Sequence, residues 1–195
     1  MPMRYLFYIF LIEVIFLIAA CGEKSPSYGE AQFPVTAATD EVDVDVPGFD
    51  ETEHWEVGCE LEILSAGRIG QLCVRVPKND VYRVTLWKYA SIIIPPVVVA
   101  SIVIEVNSQQ LTCADITPLY VEEGDRVGIT LYTNDFYVCV DMDDYYSEFL
   151  PFATNDIDVL DFRMNRDPVG FQYPDEPYLD RIYGVADIAF EPRLD

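Results

Sequence analysis

Between Asp135 and Asp161 the chain holds eight carboxylates and no Lys or Arg. Within that stretch Asp141, Asp143 and Asp144 stand at one end of a loop, with Asn155 and Asp156 at the other. Hard oxygen ligands gathered at both ends of a loop can hold calcium, which would neutralise the repulsion that opposes closure. Calcium through Asp141, Asp143, Asp144 and Asp156 is the one cofactor the sequence raises. The spacing is not that of an EF-hand, which needs Gly at its sixth position and Glu at its twelfth, and a solvated acidic loop accounts for the same residues. The loop also carries Tyr145, Tyr146, Phe149 and Phe152. Sugar rings stack their C–H faces on aromatic rings while carboxylates and amides accept hydrogen bonds from hydroxyls. Asp143, Tyr145, Tyr146 and Asn155 therefore form a candidate ligand-binding set, joined by Trp87 and Tyr89 from the end of another strand. The competing account has Phe149, Leu150 and Phe152 plugging one end of the fold, with the tyrosines covering its rim. A second aromatic and proline-rich loop, Phe171 to Tyr183, carries the same choice.

No catalytic motif accompanies these residues. His54 is the only histidine, beside Glu53 at the mouth of a strand, and there is no G-x-S-x-G nucleophile for it to serve. H-E-x-x-H, C-x-x-C and G-x-x-x-x-G-K are equally missing. Cys59 alternates in phase with Val57, Leu61 and Ile63, which points its thiol inward and makes it a poor nucleophile. Carboxylate pairs of the glycosidase kind arise by chance in so acidic a chain and carry little weight. A non-catalytic protein is expected, with a glycosidase-type hydrolase the third choice among functions.

The formal net charge is −22. Phosphate binding depends on Lys and Arg displacing counterions, so nucleic acid is a poor partner. Four cysteines besides Cys21 remain, Cys59, Cys73, Cys113 and Cys139; they permit two disulfides in three connectivities, and buried thiols are as compatible as bridges. Cys73 is in phase with Gln71 and Arg75, pointing outward, so without a bulge it does not meet the inward Cys59 as a cross-strand pair.

The chain opens with one basic residue, Arg4, an apolar run from Tyr5, and Ile18-Ala19-Ala20-Cys21. This layout is that of an export signal, and its last four residues resemble the bacterial lipoprotein box. The resemblance implies cleavage before Cys21, a diacylglycerol on its thiol and acylation of the new amino group. Two or more acyl chains hold a protein stably at a membrane where one does so only marginally. Glu13 costs roughly 2.5–3.5 kcal/mol at the centre of the run, and the surrounding Leu, Ile, Phe and Val residues outweigh it. An uncleaved membrane helix is the alternative. Removing residues 1–20 takes away Arg4 and Glu13 together and leaves the charge unchanged. Gly22 after the anchor resembles the sorting pattern that releases lipoproteins to an outer membrane, so the envelope, and the outer membrane over the inner, is the expected location.

The expected organisation is a signal over 1–20, an acidic tether over 21–50 and one domain over 51–195. Val42, Val44 and Val46 alternate with acids, so that part of the tether can instead add an edge strand. From Trp55 onward the hydrophobic period is two, broken at short intervals by turn residues such as Ser65-Ala66-Gly67, Lys78-Asn79-Asp80 and Glu123-Gly124-Asp125. No stretch after the signal holds a helical period for three turns. The prediction is an all-β fold, an antiparallel, jelly-roll-like β-sandwich of about eight or nine strands. Predicted strands are 55–64, 69–76, 81–88, 97–106, 111–120, 126–133, 136–142, 157–164 and 183–190. The stretch 97–106 is apolar on both faces, as for a strand covered from both sides.

Residues 118–129, Pro-Leu-Tyr-Val-Glu-Glu-Gly-Asp-Arg-Val-Gly-Ile, resemble the strand, Gly-Asp turn and returning strand of bacterial surface sandwiches, including accessory carbohydrate-binding modules. Those resemblances imply a lipid-anchored envelope protein that displays a binding or structural module, with carbohydrate the first ligand class. The alternative is an assembly component that contacts envelope proteins through an exposed strand edge or apolar patch.

Overall fold

The computed structural model describes residues 25–40, 44–46, 53–91, 93–140 and 150–194. The leader, Cys21 and the loop residues Asp141, Asp143, Asp144, Tyr145, Tyr146 and Phe149 lie outside them. In chain order the elements are β1 (Ser27–Tyr28), α1 (Pro34–Asp40), β2 (Val44–Val46), β3 (Trp55–Ile63), β4 (Gly67–Arg75), β5 (Val81–Lys88), β6 (Val97–Glu105) and β7 (Thr112–Val121). There follow β8 (Arg126–Thr133), β9 (Val138–Val140), β10 (Phe152–Ala153), β11 (Ile157–Arg166), β12 (Glu176–Tyr178), β13 (Arg181–Tyr183) and β14 (Val185–Leu194).

All pairings between these strands are antiparallel, and the fold is an all-β sandwich. The larger sheet runs β10-β11-β3-β8-β5-β6, with β12 on the same edge of β11 as β10. The facing sheet runs β1-β14-β4-β7, and a small third sheet runs β13-β9-β2. Period two explains the layers. Val57, Cys59, Leu61 and Ile63 of β3, Val84 and Leu86 of β5, and Val127, Ile129 and Leu131 of β8 turn one face inward. They meet Ile69, Leu72 and Val74 of β4 and Ile188 and Phe190 of β14 in a single buried core.

Residues 25–40 and 44–46 depart from the expected tether. β1 pairs with β14 through Ser27–Leu194 and Tyr28–Arg193, and β2 pairs with β9, so Val44 and Val46 of the alternating valines lie in a strand; Val42 lies outside the described residues. α1 buries Val35 and Ala38. Its first turn is held by Asp187 of β14, whose carboxylate accepts the amides of Val35 (3.1 Å) and Thr36 (2.7 Å). An acid 152 positions away in sequence thus satisfies two of the donors that a helix start leaves open.

The cysteines resolve unequally. Cys73 and Cys113 are directly opposite on β4 and β7 and form a disulfide, while Cys59 and Cys139 are free and buried. The outward phase read for Cys73 holds: it stands in register between Asp187 and Cys113 on the face opposite Leu72 and Val74. That face is covered, so Cys73 is nevertheless fully buried.

β6 overturns a second expectation. It closes the larger sheet and pairs only with β5 among the described strands. Ile104 is buried and Ala100 and Ile102 pack at the core margin, whereas Val97 and Val103 are 58% and 65% exposed. Its two apolar faces reflect one buried side and one open side.

Candidate functional site

The outer face of the larger sheet would be solvent-facing in a simple sandwich, yet its centre is buried. Two glycines explain how. Gly58 and Gly128 are strand-interior positions where a Cβ would collide, at Gly58 with the Ile129 carbonyl and at Gly128 with the ring of Tyr173. The gap at Gly128 admits Tyr173, whose hydroxyl donates to the Cys59 carbonyl at 3.3 Å. Tyr173 then meets Trp87 and Tyr89 edge to face, with ring centroids 5.4 and 5.7 Å apart. The loop that delivers it turns at Gly170, where φ is +77°, a conformation that favours glycine.

Around this aromatic cluster the charges are paired with one another. Glu60 accepts hydrogen bonds from Arg126 (3.0 Å), Arg163 (3.0 Å) and the Tyr89 hydroxyl (2.9 Å). Arg163 also forks onto Asp161 at 2.9 and 2.8 Å. Glu56 is fully buried; it accepts from Thr130 (2.5 Å) and Arg83 (2.8 Å). Desolvation raises its pKa, and those two donors oppose the shift. Arg83 lies between the rings of Tyr132 and Phe171, at 4.4 and 4.7 Å from their centroids. Burial likewise pushes the Tyr89 and Tyr173 hydroxyls up, so both stay protonated donors.

Beside the cluster opens a groove of about 550 Å³. One wall is Ile93, Ile94, Pro95 and Pro96; the other is the segment from Phe171 to Asp175. Trp87, Tyr89 and Arg163 also line it.

The structure brings together two residues of the candidate sugar-binding set, Trp87 and Tyr89, and changes what they can do. Trp87 is 3% exposed and its indole N–H donates to Thr130 at 2.8 Å; it is packed from above by Tyr173 and offers no open stacking face. The hydroxyl of Tyr89 is committed to Glu60. Asn155 is exposed in the turn between β10 and β11 and is not part of the groove. Asp143, Tyr145 and Tyr146, the rest of that set, lie outside the described residues.

Of the proposed calcium ligands, Asp156 alone is described. Its carboxylate accepts from Gln32 and from Ser65 (2.6 Å), a tie between the N-terminal segment, the β3–β4 turn and the turn between β10 and β11. No metal-ligating cluster occurs among the described residues. His54 is exposed and stacks on Tyr132, with ring centroids 5.1 Å apart. Cys59 is buried among core side chains, and desolvation pushes its thiol far above the usual range. Asp175 is the one carboxylate among the groove's described lining residues, whereas carboxylate-pair hydrolysis needs two across the bond.

The loop from Phe171 to Tyr183 was a candidate as a whole, and its Tyr173 packs over the sheet; Arg163 and the openness of β6 were passed over. The glycines at 58 and 128, both within strand patterns, were the available sign of a close approach. Comparison with protein families, curated proteins and solved structures finds no match to this chain.

Proposed function

We propose that this protein is a non-catalytic assembly module of a bacterial cell envelope, anchored through acyl chains on Cys21, that contacts other polypeptide through β6 and the groove beside it. The observation that carries the reading is the character of β6: from Val97 to Ile104 it has no charged residue in a chain of net charge −22, and Val97, Val98, Val99 and Val103 on it are solvent-exposed. Exposed apolar patches and free strand edges are where proteins add polypeptide. Ile93 and Ile94, 88% and 55% exposed, and Phe171 extend the apolar surface into the groove. The polar groups deepest beside that groove already serve one another, which favours apolar side chains over sugar hydroxyls as its occupants.

The test uses the full-length protein in its membrane, with a photoreactive side chain placed in turn at Val103, Ile93 and the exposed Glu122. Adducts with polypeptide at the first two positions and not the third are expected. No adduct at any position, together with retention of the protein on polysaccharide or peptidoglycan, would overturn the assembly reading in favour of carbohydrate binding.

A further inference from the structure

The occupant of the β6 edge follows from its register. Val106 donates its amide to the Asp80 carbonyl at 2.9 Å, one step beyond the Val81–Glu105 pair. Antiparallel ladders alternate, so Ile104 and Ile102 exchange bonds with β5, and Val103 and Ser101 direct their N–H and C=O groups to the open side. The ladder is regular from Ala100 to Glu105; a bulge at Val99, where Leu86 opposes Ala100 but Trp87 opposes Val98, ends it. Strand edges are ordinarily blunted by Lys, Pro, inward charge or a bulge such as the one at Val99. Between the bulge and Glu105 none of these is present.

Resting on the assembly reading above, we infer that the partner at this edge is a second copy of the chain, added antiparallel across a two-fold axis at Ile102. The run from Ala100 to Ile104 pairs with itself in that register. Ile102 faces its own counterpart, small Ala100 faces large Ile104, and Ser101 faces Val103, with every inward residue opposite an inward one. Glu105 opposes Val99, so no carboxylate meets a carboxylate. Axes at Ser101 or Val103 also keep the faces matched, setting Val103 opposite Val99 or Ser101 opposite Glu105, and the Ser101–Val103 pairing tested below marks the Ile102 axis. The uncharged strand is also a segment over which two strongly acidic bodies approach without local like-charge contact. Val103 of each copy would then lie on the outer face of a continuous sheet, opposite Ser101 of the other copy.

Two pairs of substitutions at exposed positions test this in the full chain in detergent, followed by sedimentation and by mixed-disulfide formation. Ser101→Lys with Val103→Lys sets like charges opposite each other and is expected to weaken the dimer roughly tenfold or more. Ser101→Lys with Val103→Glu sets opposite charges there and restores it, which a merely damaged fold would not do. A mixture of Ser101→Cys and Val103→Cys chains forms an intermolecular disulfide on mild oxidation, since directly opposed residues lie within bridging distance. Asp115→Cys, on β7 of the facing sheet, is the control and forms none. A protein that stays monomeric while its Val103 adduct contains a different polypeptide overturns self-pairing and leaves the assembly reading standing. A monomer with no polypeptide adduct overturns both.

Discussion

Asp187 shows how one side chain can couple the N-terminal segment to the sandwich. Its carboxylate is fully buried and receives amides from Val35, Thr36 and Ile188, yet desolvation outweighs those donors and raises its pKa from 3.8 to about 6. Between those values the folded protein keeps a proton that the unfolded chain has released, so this group's contribution to stability falls as pH rises through that window. Above it the cost is complete, about 3 kcal/mol. Asp187→Asn removes the titration, so urea unfolding at pH 4 and pH 7 should show wild type losing about that much more than the variant. An equal pH response in the two would mean the carboxyl is not desolvated. Gly128→Ala acts on the other face. Its methyl group displaces the Tyr173 ring, with an expected cost of about 1–3 kcal/mol, and Trp87 fluorescence should shift toward that of an exposed indole. The glycine could be picked out in the sequence as an oddity inside a strand. That an aromatic ring fills its place could not, because Tyr173 arrives from a loop 45 positions further on.

At the level of the element, strand positions were legible because alternation is strong. β5 and β8 have the predicted ends, and β3, β4, β6, β7, β11 and β14 differ by one to four residues at one end or both, where turn chemistry governs more than hydrophobic period. Neighbours were not legible. The apolar run of β6 reads the same whether one face is covered or two, and only the sheet order places it at an edge. The helix over 34–40 was missed for a related reason: at seven residues it is too short to show a period, and its start is capped from β14 rather than from its own sequence. Cysteine pairing also depends on neighbours. Phase correctly separated Cys59 from Cys73, but the Cys113 partner required knowing that β7 lies beside β4. The bridge closes a separation of 40 residues, so the chain-entropy estimate of its contribution is about 4 kcal/mol. Cys113→Ser should lower the urea midpoint accordingly without changing the circular-dichroism signature of the sheets. A midpoint unchanged under non-reducing conditions would mean that the two thiols are not joined.

For the whole molecule, electrostatics sets the terms of any association. A net charge of −22 repels a second copy at every separation shorter than a few screening lengths, and that repulsion extends about 30 Å at 0.01 M salt but only about 8 Å at 0.15 M. Short-range apolar contact and backbone pairing along β6 gain little or nothing from low salt. The proposed dimer should therefore tighten as salt is raised over this range, the reverse of a complex held by opposite charges. A basic foreign partner attracted to the acidic surface would show the opposite slope, weakening as its steering field is screened. Sedimentation of the purified full chain at the two ionic strengths separates these cases with no mutation at all. The lipid anchor proposed at Cys21 adds a second lever, because confinement to a membrane raises the effective concentration of copies without adding a contact. Cys21→Ser should release the protein from the membrane fraction and, at equal expression, reduce the crosslinked dimer formed in cells, while the dimer constant measured in detergent stays the same. A change in that constant would place the N-terminal segment in the interface itself, and an unaltered membrane fraction would remove the anchor from the account.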